Sequence, residues 1–439
     1  MLIHPDYKNL EQATNPPYMH QRFEDMLSLI SDNKIKLDEF YVTRIFPRKN
    51  GGFSIQYSLS SNNLESFPDK EILLYGHLLG PSEKYPDYAD KTNPEVIIFD
   101  NLRLVVPIFP YDPKLKRLPL YFEPDGIPLL LNRLQPQLKL GENKCEIESL
   151  KVLGYRLERR CVLGITLKPQ NEDSDVSSNQ LKIIAKIYRP GFSEKAAFTL
   201  KMLNENGFEK ESDDRLTVPG LYSFDNNTGE MFIEAVSGKS LHDLKEYVTY
   251  KDACKCSGEL LRKLHKTKLN NLAGYSAVDE MTNLQNTINL ACGIFPELEN
   301  GLTENFSNLK EDISNIPDDF ESVCIHRDFY DKQVIYSPDR TTLLDCDNMA
   351  YGDSALDYAN FIAHLILRSL QAPDDARRIT DGIGSFTEAY GNYEDNFQLR
   401  AKWWCRAALL RLAVLYALRP RWRNIAFELL NTAGKPEAY

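Results

Sequence analysis

The hydrophobic pattern of this 439-residue chain changes character at Gly238, and this change constrains the fold more than any other feature. Before Gly238, apolar and polar residues mostly alternate with a period of two, as in half-buried strands. After it, segments such as ALDYANFIAHLILRSL and WWCRAALLRLAVLYAL repeat their apolar residues at helical spacing. The chain is therefore predicted to be an α+β protein in which strands dominate the first half and helices the second.

Residues 1–141 are predicted to form an additional N-terminal α+β domain. Residues 20–32 have helical spacing, and residues 39–60 alternate around an Asn-Gly turn, which indicates a β-hairpin. Two later segments repeat the strand pattern. Four prolines then exclude a regular helix from an extended segment that leads to a short helix near residues 126–135. The sequence does not indicate the purpose of this domain.

Residues 142–237 are predicted to form a β-rich lobe, and residues 238–439 a helical lobe. In the β-rich lobe, three strand-like runs precede an amphipathic helix, with Ser193 as its N-cap and Gly207 as its stop signal. Two further strands complete this lobe. The helical lobe is predicted to begin with a helix over residues 240–247 and to continue with four more helical segments.

The composition excludes several classes of protein. With 52 basic and 63 acidic side chains, the formal charge is -11, so the chain lacks the positive field that nonspecific nucleic-acid binding requires. The eight cysteines are scattered, which suits reduced thiols, and Cys254 and Cys256 lack a second pair at zinc-ligand spacing. No export signal is visible, and the most apolar stretch, residues 407–418, is too short for a membrane span. We therefore expect a cytoplasmic protein with neither nucleic acid nor membrane as a partner.

The residues with the clearest chemical meaning lie between positions 323 and 365. Asp328 stands in a loop, Gln333 follows five residues later, and Asp345 ends the second of two short strands that a turn connects. This order can bring two carboxylates and an amide oxygen into one pocket. Phosphoryl transfer requires such groups, because a carboxylate deprotonates the acceptor hydroxyl and oxygen ligands hold magnesium on the nucleotide phosphates. An isolated Asp more often caps a turn, but the full spacing favours the catalytic interpretation.

These residues resemble the catalytic and metal-binding segments of the aminoglycoside phosphotransferase and choline kinase group, whose members phosphorylate small molecules. The resemblance rests on His326-Arg327-Asp328, on Leu344-Asp345-Cys346 and on Gly352-Asp353-Ser354-Ala355-Leu356-Asp357-Tyr358-Ala359. It implies a bilobal protein-kinase-like fold in which Asp328 is the base, Gln333 and Asp345 hold Mg²⁺, and ATP or GTP donates its γ-phosphate. Arg327 replaces the glycine that is usual in the group, and Gln333 replaces an asparagine, which keeps the amide oxygen but adds a methylene. Maltokinase-like enzymes share this fold behind an N-terminal cap domain.

The resemblance also implies a nucleotide site in the β-rich lobe. The run IIAK, which ends at Lys186, is similar to the strand whose lysine contacts the α- and β-phosphates. Glu194 is the nearest candidate for the glutamate that holds this lysine, although Ala196 or Phe198 occupies the position where the group often places it. Lys186 and Glu194 are therefore expected near the phosphates.

Other residues of this lobe receive roles from the same comparison. Backbone groups of Glu234 and Val236 lie in a segment that resembles the hinge between lobes, and they are expected to contact the adenine edge. The turn between the first two strands lacks a glycine-rich phosphate motif. Arg159 or Arg160 could approach the phosphates instead, but the interpretation as solvated turn residues is favoured. Asp347 is either a surface charge or a support for the metal ligands.

The acceptor is expected to be a sugar, an aminosugar or an aminoglycoside-like molecule between the catalytic loop and the C-terminal helices. Tyr330, Trp403 and Trp404 are candidates for its lining. Asp353 and Asp357 are expected to brace the catalytic loop through hydrogen bonds.

Two other functions remain open. A catalytically weak, nucleotide-binding regulatory protein would suit the substitution at Gln333, but the retention of Lys186, Asp328 and Asp345 argues against it. A protein kinase ranks third, because the D-F-G and A-P-E landmarks are missing after Asp345. The sequence does not indicate the oligomeric state.

Overall fold

We describe the protein from a computed structural model, which covers residues 3–4, 7–31, 34–48, 51–61, 71–124, 126–134, 145–169 and 180–435. Among these residues, none of the helices combines the length and the hydropathy that crossing a membrane would require. All eight cysteines lie in this part of the chain and are free thiols, as predicted.

In its described residues, the N-terminal unit has three α-helices and a five-stranded antiparallel sheet in the order β1-β2-β3-β5-β4. Its elements are α1 Lys8–Ala13, α2 Pro16–Ser31, β1 Glu39–Pro47, β2 Phe53–Ser60, β3 Glu71–Leu78, β4 Val96–Phe99, β5 Leu104–Pro107 and α3 Gly126–Leu134. The predicted hairpin is confirmed, since Glu39 pairs with Ser60 and Pro47 with Phe53. One residue of its predicted turn, Asn50, lies outside the described residues.

The β-rich lobe contains a second antiparallel sheet, in the order β10-β11-β8-β7-β6, and one helix. Its elements are β6 Cys145–Arg156, β7 Arg160–Pro169, β8 Leu181–Tyr188, α4 Glu194–Leu203, β9 Leu216–Thr217, β10 Leu221–Asp225 and β11 Glu230–Glu234. Ser193 stands at the N-cap position of α4, as predicted, but it has helical dihedral angles and its hydroxyl makes no capping hydrogen bond, since it donates to Asp225 O at 3.4 Å. Gly207 follows the helix with φ of +88°, which a glycine adopts readily.

The rest of the chain forms a helical lobe with short strands around the catalytic loop. Its elements are β12 Lys239–Ser240, α5 Tyr247–Lys266, α6 Ala277–Ile294, α7 Glu299–Asp312, β13 Val323–Ile325, β14 Val334–Ser337, β15 Arg340–Leu343, β16 Ala350–Gly352, α8 Ser354–Gln371, α9 Ala376–Tyr390, α10 Asp395–Ala417 and α11 Ile425–Ala433. The helix predicted over residues 240–247 is wrong. Glu246 has an extended backbone, and its carboxylate accepts the N–H groups of Val248 and Thr249, so the helix begins only at Tyr247.

The N-terminal unit packs against both lobes. Tyr75 of β3 donates its hydroxyl to Tyr155 O in β6, and the two rings meet edge to face with centroids 5.2 Å apart. On the other side, Ile45 N in β1 donates to Leu418 O, directly after α10, at 2.9 Å. The predicted order of an added α+β unit, a β-rich lobe and a helical lobe is therefore observed. The exact domain limits stay predictions.

The packing of α5 against α9 gives a stability prediction. A Cβ atom on Gly258 would lie 2.5 Å from Phe386 O, so Gly258→Ala has to push the two helices apart. We expect a loss of about 1–3 kcal/mol in the free energy of unfolding, measured by denaturant unfolding. Gly384→Ala on α9 is the control, because its Cβ would meet nothing within 4 Å and alanine favours a helix. Equal stability of the two variants would contradict this packing.

Candidate active site

The loop between β13 and β14 carries Asp328 and is held by buried side chains. His326 is buried, its Nε2 lies 2.9 Å from Leu344 O, and its Nδ1 accepts from Asp328 N at 3.3 Å. Both ring nitrogens therefore contact backbone atoms, which suits a structural histidine. Arg327 has φ of +69°, a left-handed conformation that a non-glycine residue adopts only when its surroundings hold it.

Asp357 on α8 supplies that support. Its carboxylate accepts from the backbone N–H groups of His326 at 2.6 Å and Arg327 at 2.7 Å, and it lies 3.3 Å from Nε2 of His265. Asp357 is completely buried, so these bonds are sheltered from water. The predicted bracing of the catalytic loop by Asp357 is confirmed.

Asp353 has a different set of partners. It caps α8 by accepting from Ala355 N at 3.0 Å, and it also accepts from Arg400 and from Trp404 Nε1 at 2.9 Å. Trp403 donates to Leu309 O, and both tryptophans are at most 4% exposed. The expected acceptor lining by Trp403 and Trp404 is therefore wrong, because these side chains belong to the core of the helical lobe.

Asp328 lies next to Gln333. Gln333 is buried in a 3₁₀ turn, where its backbone N donates to Tyr330 O at 2.9 Å and its carbonyl accepts from Leu344 N at 2.7 Å. Desolvation raises the pKa of Asp328 above its ordinary value, and the opposing influences are His326, Arg411 and a hydrogen bond with the Gln333 side chain. The structure thus brings the predicted base and the predicted amide ligand into contact.

Asp345 follows β15 in a left-handed conformation, with φ of +58°. Arg160 donates to both of its oxygens, at 2.7 and 3.1 Å, and Lys186 Nζ lies 2.9 Å from Oδ1. Asp347 contacts the same two cations, at 2.8 Å from Arg160 and 3.3 Å from Lys186, and accepts from the Tyr188 hydroxyl at 2.8 Å. Two carboxylates and two cations therefore form one compact network.

The opposite charges in this network shift the pKa values of Lys186 and Asp345 in directions that favour their charged forms. Burial alone would lower the pKa of Lys186, but Tyr188, Asp347 and Asp345 raise it above its ordinary value. Burial would likewise raise the pKa of the Asp345 carboxyl, but Lys186 and Arg160 outweigh burial and hold it below the usual range. Lys186 and Asp345 consequently each stabilise the charged form of the other.

Glu194 does not lie in this network. Its side chain is exposed at the start of α4, where Asn226 Nδ2 donates to it at 3.4 Å. Lys186 instead has Asp345 and Asp347 as its acidic partners among the described residues. The expectation that Glu194 holds Lys186 does not agree with this structure, because the first turn of α4 directs Glu194 toward the loop after β10.

A pocket of about 370 Å³ extends from Asp345 to the segment that links the two lobes. Its walls are mostly apolar, with Val162, Ile184, Leu200, Met231, Ile233 and Ile335 among the lining residues. Lys186, Gln333 and Asp345 line its polar end. An apolar slot with a few polar groups at one end is typical of small-molecule and cofactor sites.

The segment Glu234–Val236 lines the other end of this pocket. The Glu234 carboxylate accepts from both terminal nitrogens of Arg340, at 2.6 and 3.0 Å, and from Gly220 N at 3.1 Å. Glu234 N donates to Gly220 O at 2.8 Å, so this N–H is already used. Glu234 and Val236 thus line the pocket, and their contact with the adenine edge stays a prediction. Through Arg340, Glu234 also connects the two lobes.

The residues present suit a magnesium ion. Asp345, Asp328 and Gln333 offer hard oxygen atoms, and Mg²⁺ needs only one or two carboxylates when nucleotide phosphates and water complete its shell. No three His, Cys, Asp or Glu side chains in the described ranges converge closely enough to hold a metal alone. A magnesium ion bound together with a nucleotide agrees with both observations.

Arg160 and Asp347 are the site residues that sequence reasoning missed. The sequence favours a solvated turn position for Arg160, but in the structure Arg160 is the first residue of β7 and lines the pocket together with Val162. The alternation along β7 could have indicated this position, because residues two apart on a strand point to the same side and Arg160 therefore shares a face with Val162. For Asp347, no local pattern distinguished a surface charge from a partner of Lys186.

Two lobes with an apolar pocket between them, and with lysine, amide and carboxylate groups at one end of that pocket, are the arrangement of a kinase-like phosphotransferase. A family model described as the phosphotransferase enzyme family matches residues 174–393, half of the chain. The chain belongs to this family. The predictions of the family, of the bilobal fold and of a phosphotransferase enzyme are therefore confirmed.

Solved structures of related proteins match at low sequence identity. An ethanolamine kinase of Plasmodium vivax is 15% identical, with a TM-score of 0.45 over 66% of this chain and 82% of that one. A choline/ethanolamine kinase family protein from Mesorhizobium loti is 11% identical, with a TM-score of 0.47 over 71% and 96%. A spectinomycin phosphotransferase in complex with ADP and spectinomycin is 12% identical, with a TM-score of 0.45 over 71% and 90%. No curated protein sequence matches the chain significantly, so the family model carries the assignment.

Proposed function

We propose that this protein transfers the γ-phosphate of ATP or GTP to a hydroxyl group of a small molecule. The observation that carries this proposal is the pocket between the lobes, which has Glu234–Val236 at one end and Lys186, Gln333 and Asp345 at the other. Adenine or guanine would lie against the hinge segment, with the phosphates directed toward Lys186. Asp328 contacts Gln333 and would therefore lie beside the end of the pocket that receives the phosphates.

Asp328 is the proposed general base. Its raised pKa makes the carboxylate a stronger proton acceptor than an exposed aspartate. Asp345 and Gln333 would hold Mg²⁺, which neutralises charge on the β- and γ-phosphates when bound. Lys186 and Arg160 supply positive charge at the same place, and Asp347 gives both cations a carboxylate partner that is independent of Asp345.

The proposed acceptor is a sugar or an aminosugar. Tyr330, two residues after the base, supports this choice, because its half-buried ring stacks on His364 with centroids 4.3 Å apart and offers a fixed aromatic surface. Arg411, which lowers the pKa of Asp328, donates to Glu280 and to Asn360, so its charge is compensated within the protein. Both a neutral sugar and an aminosugar therefore fit beside the base.

The test is a product search. Purified protein is incubated with Mg²⁺, ATP or GTP and a pooled sugar and metabolite extract, and phosphorylated products are detected by mass. We expect a product that is absent with Asp328→Asn. Tight nucleotide binding without any product would instead favour the regulatory protein, and loss of nucleotide binding altogether would refute the placement of Lys186 and Asp345.

The pH profile follows from the environment of Asp328. Because burial raises its pKa, the base becomes protonated, and kcat/KM falls, at a higher pH than for an exposed aspartate. Activity should be complete above this raised pKa and lost as the pH falls through it. The measurement is kcat/KM between about pH 4 and about pH 8. A profile that stays flat down to about pH 4 would contradict a desolvated base.

Lys186→Ala tests the phosphate contact. A hydrogen bond to a charged group contributes about 1.5–3 kcal/mol. We therefore expect the Kd for the nucleotide to rise about 10- to 100-fold, measured by calorimetry. Lys182→Ala is the matched control, because Lys182 is exposed on the same strand and does not line the pocket. An unchanged Kd in the Lys186 variant would refute the assignment.

A further inference from the structure

A second cavity, of about 850 Å³, lies between the N-terminal sheet and the β-rich lobe. Phe46 of β1, Arg48 directly after β1 and Tyr75 of β3 line it from one side. From the other side it is lined by the turn between β6 and β7 and by the first turn of α4. We refer to this space as the interdomain cavity. Its volume is sufficient for a metabolite-sized ligand.

The charges around the interdomain cavity are unbalanced. Six cationic side chains line it, namely Arg48, Lys114, Arg156, Arg159, Arg189 and Lys195. Only three acidic side chains do so, and two of these already have cationic partners. Glu158 accepts from Lys114 at 2.7 Å, and Asp347 pairs with Arg160 and Lys186.

Four of the lining cations have no acidic partner within the part of the chain that the structure describes. Arg156 and Arg189 instead stand over the rings of Phe46 and Phe192, with Cζ 4.8 and 4.1 Å from the centroids. Arg159 and Lys195 are exposed. His77 adds no charge near neutral pH, since burial and nearby cations lower its pKa to about 3. The cavity wall therefore presents net positive charge.

The interdomain cavity adjoins the nucleotide pocket. Ala196 and Asp347 line both spaces, and Tyr188, which lines the interdomain cavity, donates its hydroxyl to Asp347 at 2.8 Å. Lys186 lines the nucleotide pocket and pairs with the same carboxylate. The two spaces nevertheless have different walls, since the hinge Glu234–Val236 contributes only to the nucleotide pocket.

We propose that the interdomain cavity binds a phosphorylated small molecule, whose phosphate groups pair with Arg156, Arg159, Arg189 and Lys195. Guanidinium groups match phosphate oxygens in pairs, and cations that share a cavity repel one another until an anion enters. Partial desolvation together with the charges of Arg159 and Arg160 lowers the pKa of Arg156 to about 10, in agreement with such repulsion. Binding here requires no turnover, so this site can be tested apart from the proposed phosphotransfer.

The test uses fructose bisphosphate as the probe, titrated calorimetrically into full-length protein with and without saturating Mg²⁺ and ADP. We expect binding in both conditions, weaker at higher salt, and no binding of unphosphorylated fructose. The double variant Arg159→Glu/Lys195→Glu should lose at least about tenfold in affinity. Lys151→Glu/Lys182→Glu is the control, because it makes the same change in net charge at exposed positions of the same lobe outside the cavity.

Each outcome decides the proposal. Loss of affinity in the cavity variant alone supports it. Absence of binding, displacement of the bisphosphate by ADP, or equal losses in both double variants would overturn it. ADP could fail to bind while fructose bisphosphate binds with an affinity that depends on Arg159 and Lys195. This result would refute the proposed kinase function and support the proposed ligand site in the interdomain cavity.

Discussion

Asp328→Asn is expected to lower kcat by about 10²- to 10⁴-fold, the usual contribution of a general base. The amide has the same shape as the carboxylate but cannot accept the hydroxyl proton. Desolvation already raises the pKa of Asp328, so removal of its charge should not destabilise the fold. The loop conformation should also persist, because Asp357 and the ring of His326 hold it through backbone groups. The measurement is kcat with Mg²⁺ and nucleotide, together with the Kd for ADP.

The matched control for this variant is Asp339→Asn. Asp339 is exposed in the turn between β14 and β15, so it tests the removal of one negative charge close by in sequence. We expect its kcat to stay within about twofold of the wild type, as for most surface substitutions. Equal activities of the two variants would exclude Asp328 as the base, and loss of ADP binding in Asp328→Asn would point to a binding role instead.

Asp345→Asn is the second substitution with a large expected effect. The variant loses a carboxylate proposed to hold Mg²⁺, and Lys186 and Arg160 lose one of their two acidic partners. We expect kcat/KM to fall by about 10²- to 10³-fold, as when one electrostatic contact to the reacting groups is removed. A metal ligand also predicts that the half-saturating Mg²⁺ concentration rises. The measurement is activity against Mg²⁺ at saturating nucleotide.

Asp347→Asn separates the metal role of Asp345 from its contacts with cations. Asp347 shares Lys186 and Arg160 with Asp345 but is not proposed as a ligand, so its variant should lose less activity and keep the wild-type Mg²⁺ dependence. Thermal unfolding of both variants checks that neither loss is due to unfolding. If the Mg²⁺ dependence shifted only in Asp347→Asn, the assignment of the metal ligand would have to be reversed.

The grouping of residues around Asp328 could be predicted from the sequence because these residues lie close together in the chain. Asp328, Gln333 and Asp345 lie within 18 residues of one another, and two short strands with a turn leave few ways to arrange them. The resemblance of Lys186 to a phosphate-binding lysine likewise rests on four consecutive residues, 183–186. Alternation and helical spacing predicted most strands and several helices for the same reason, since backbone periodicity is set by neighbouring residues.

The partner of Lys186 could not be predicted in this way. Glu194 follows it by only eight residues, whereas Asp345 and Asp347 follow it by 159 and 161 residues and reach it through the packing of the two lobes. The environment of Trp404 could not be predicted either. Helical spacing does not distinguish a tryptophan that lines a ligand site from one that donates to the buried carboxylate of Asp353.

By itself, the sequence determined the change from strands to helices near Gly238, the family and the grouping of Asp328, Gln333 and Asp345, because each depends on short-range patterns. Only the tertiary structure decided that Arg160 and Asp347 complete the charge network and that the N-terminal sheet forms one wall of the interdomain cavity. These contacts join residues far apart in the chain. They arise when separate apolar faces are buried together, and no local pattern encodes which faces meet.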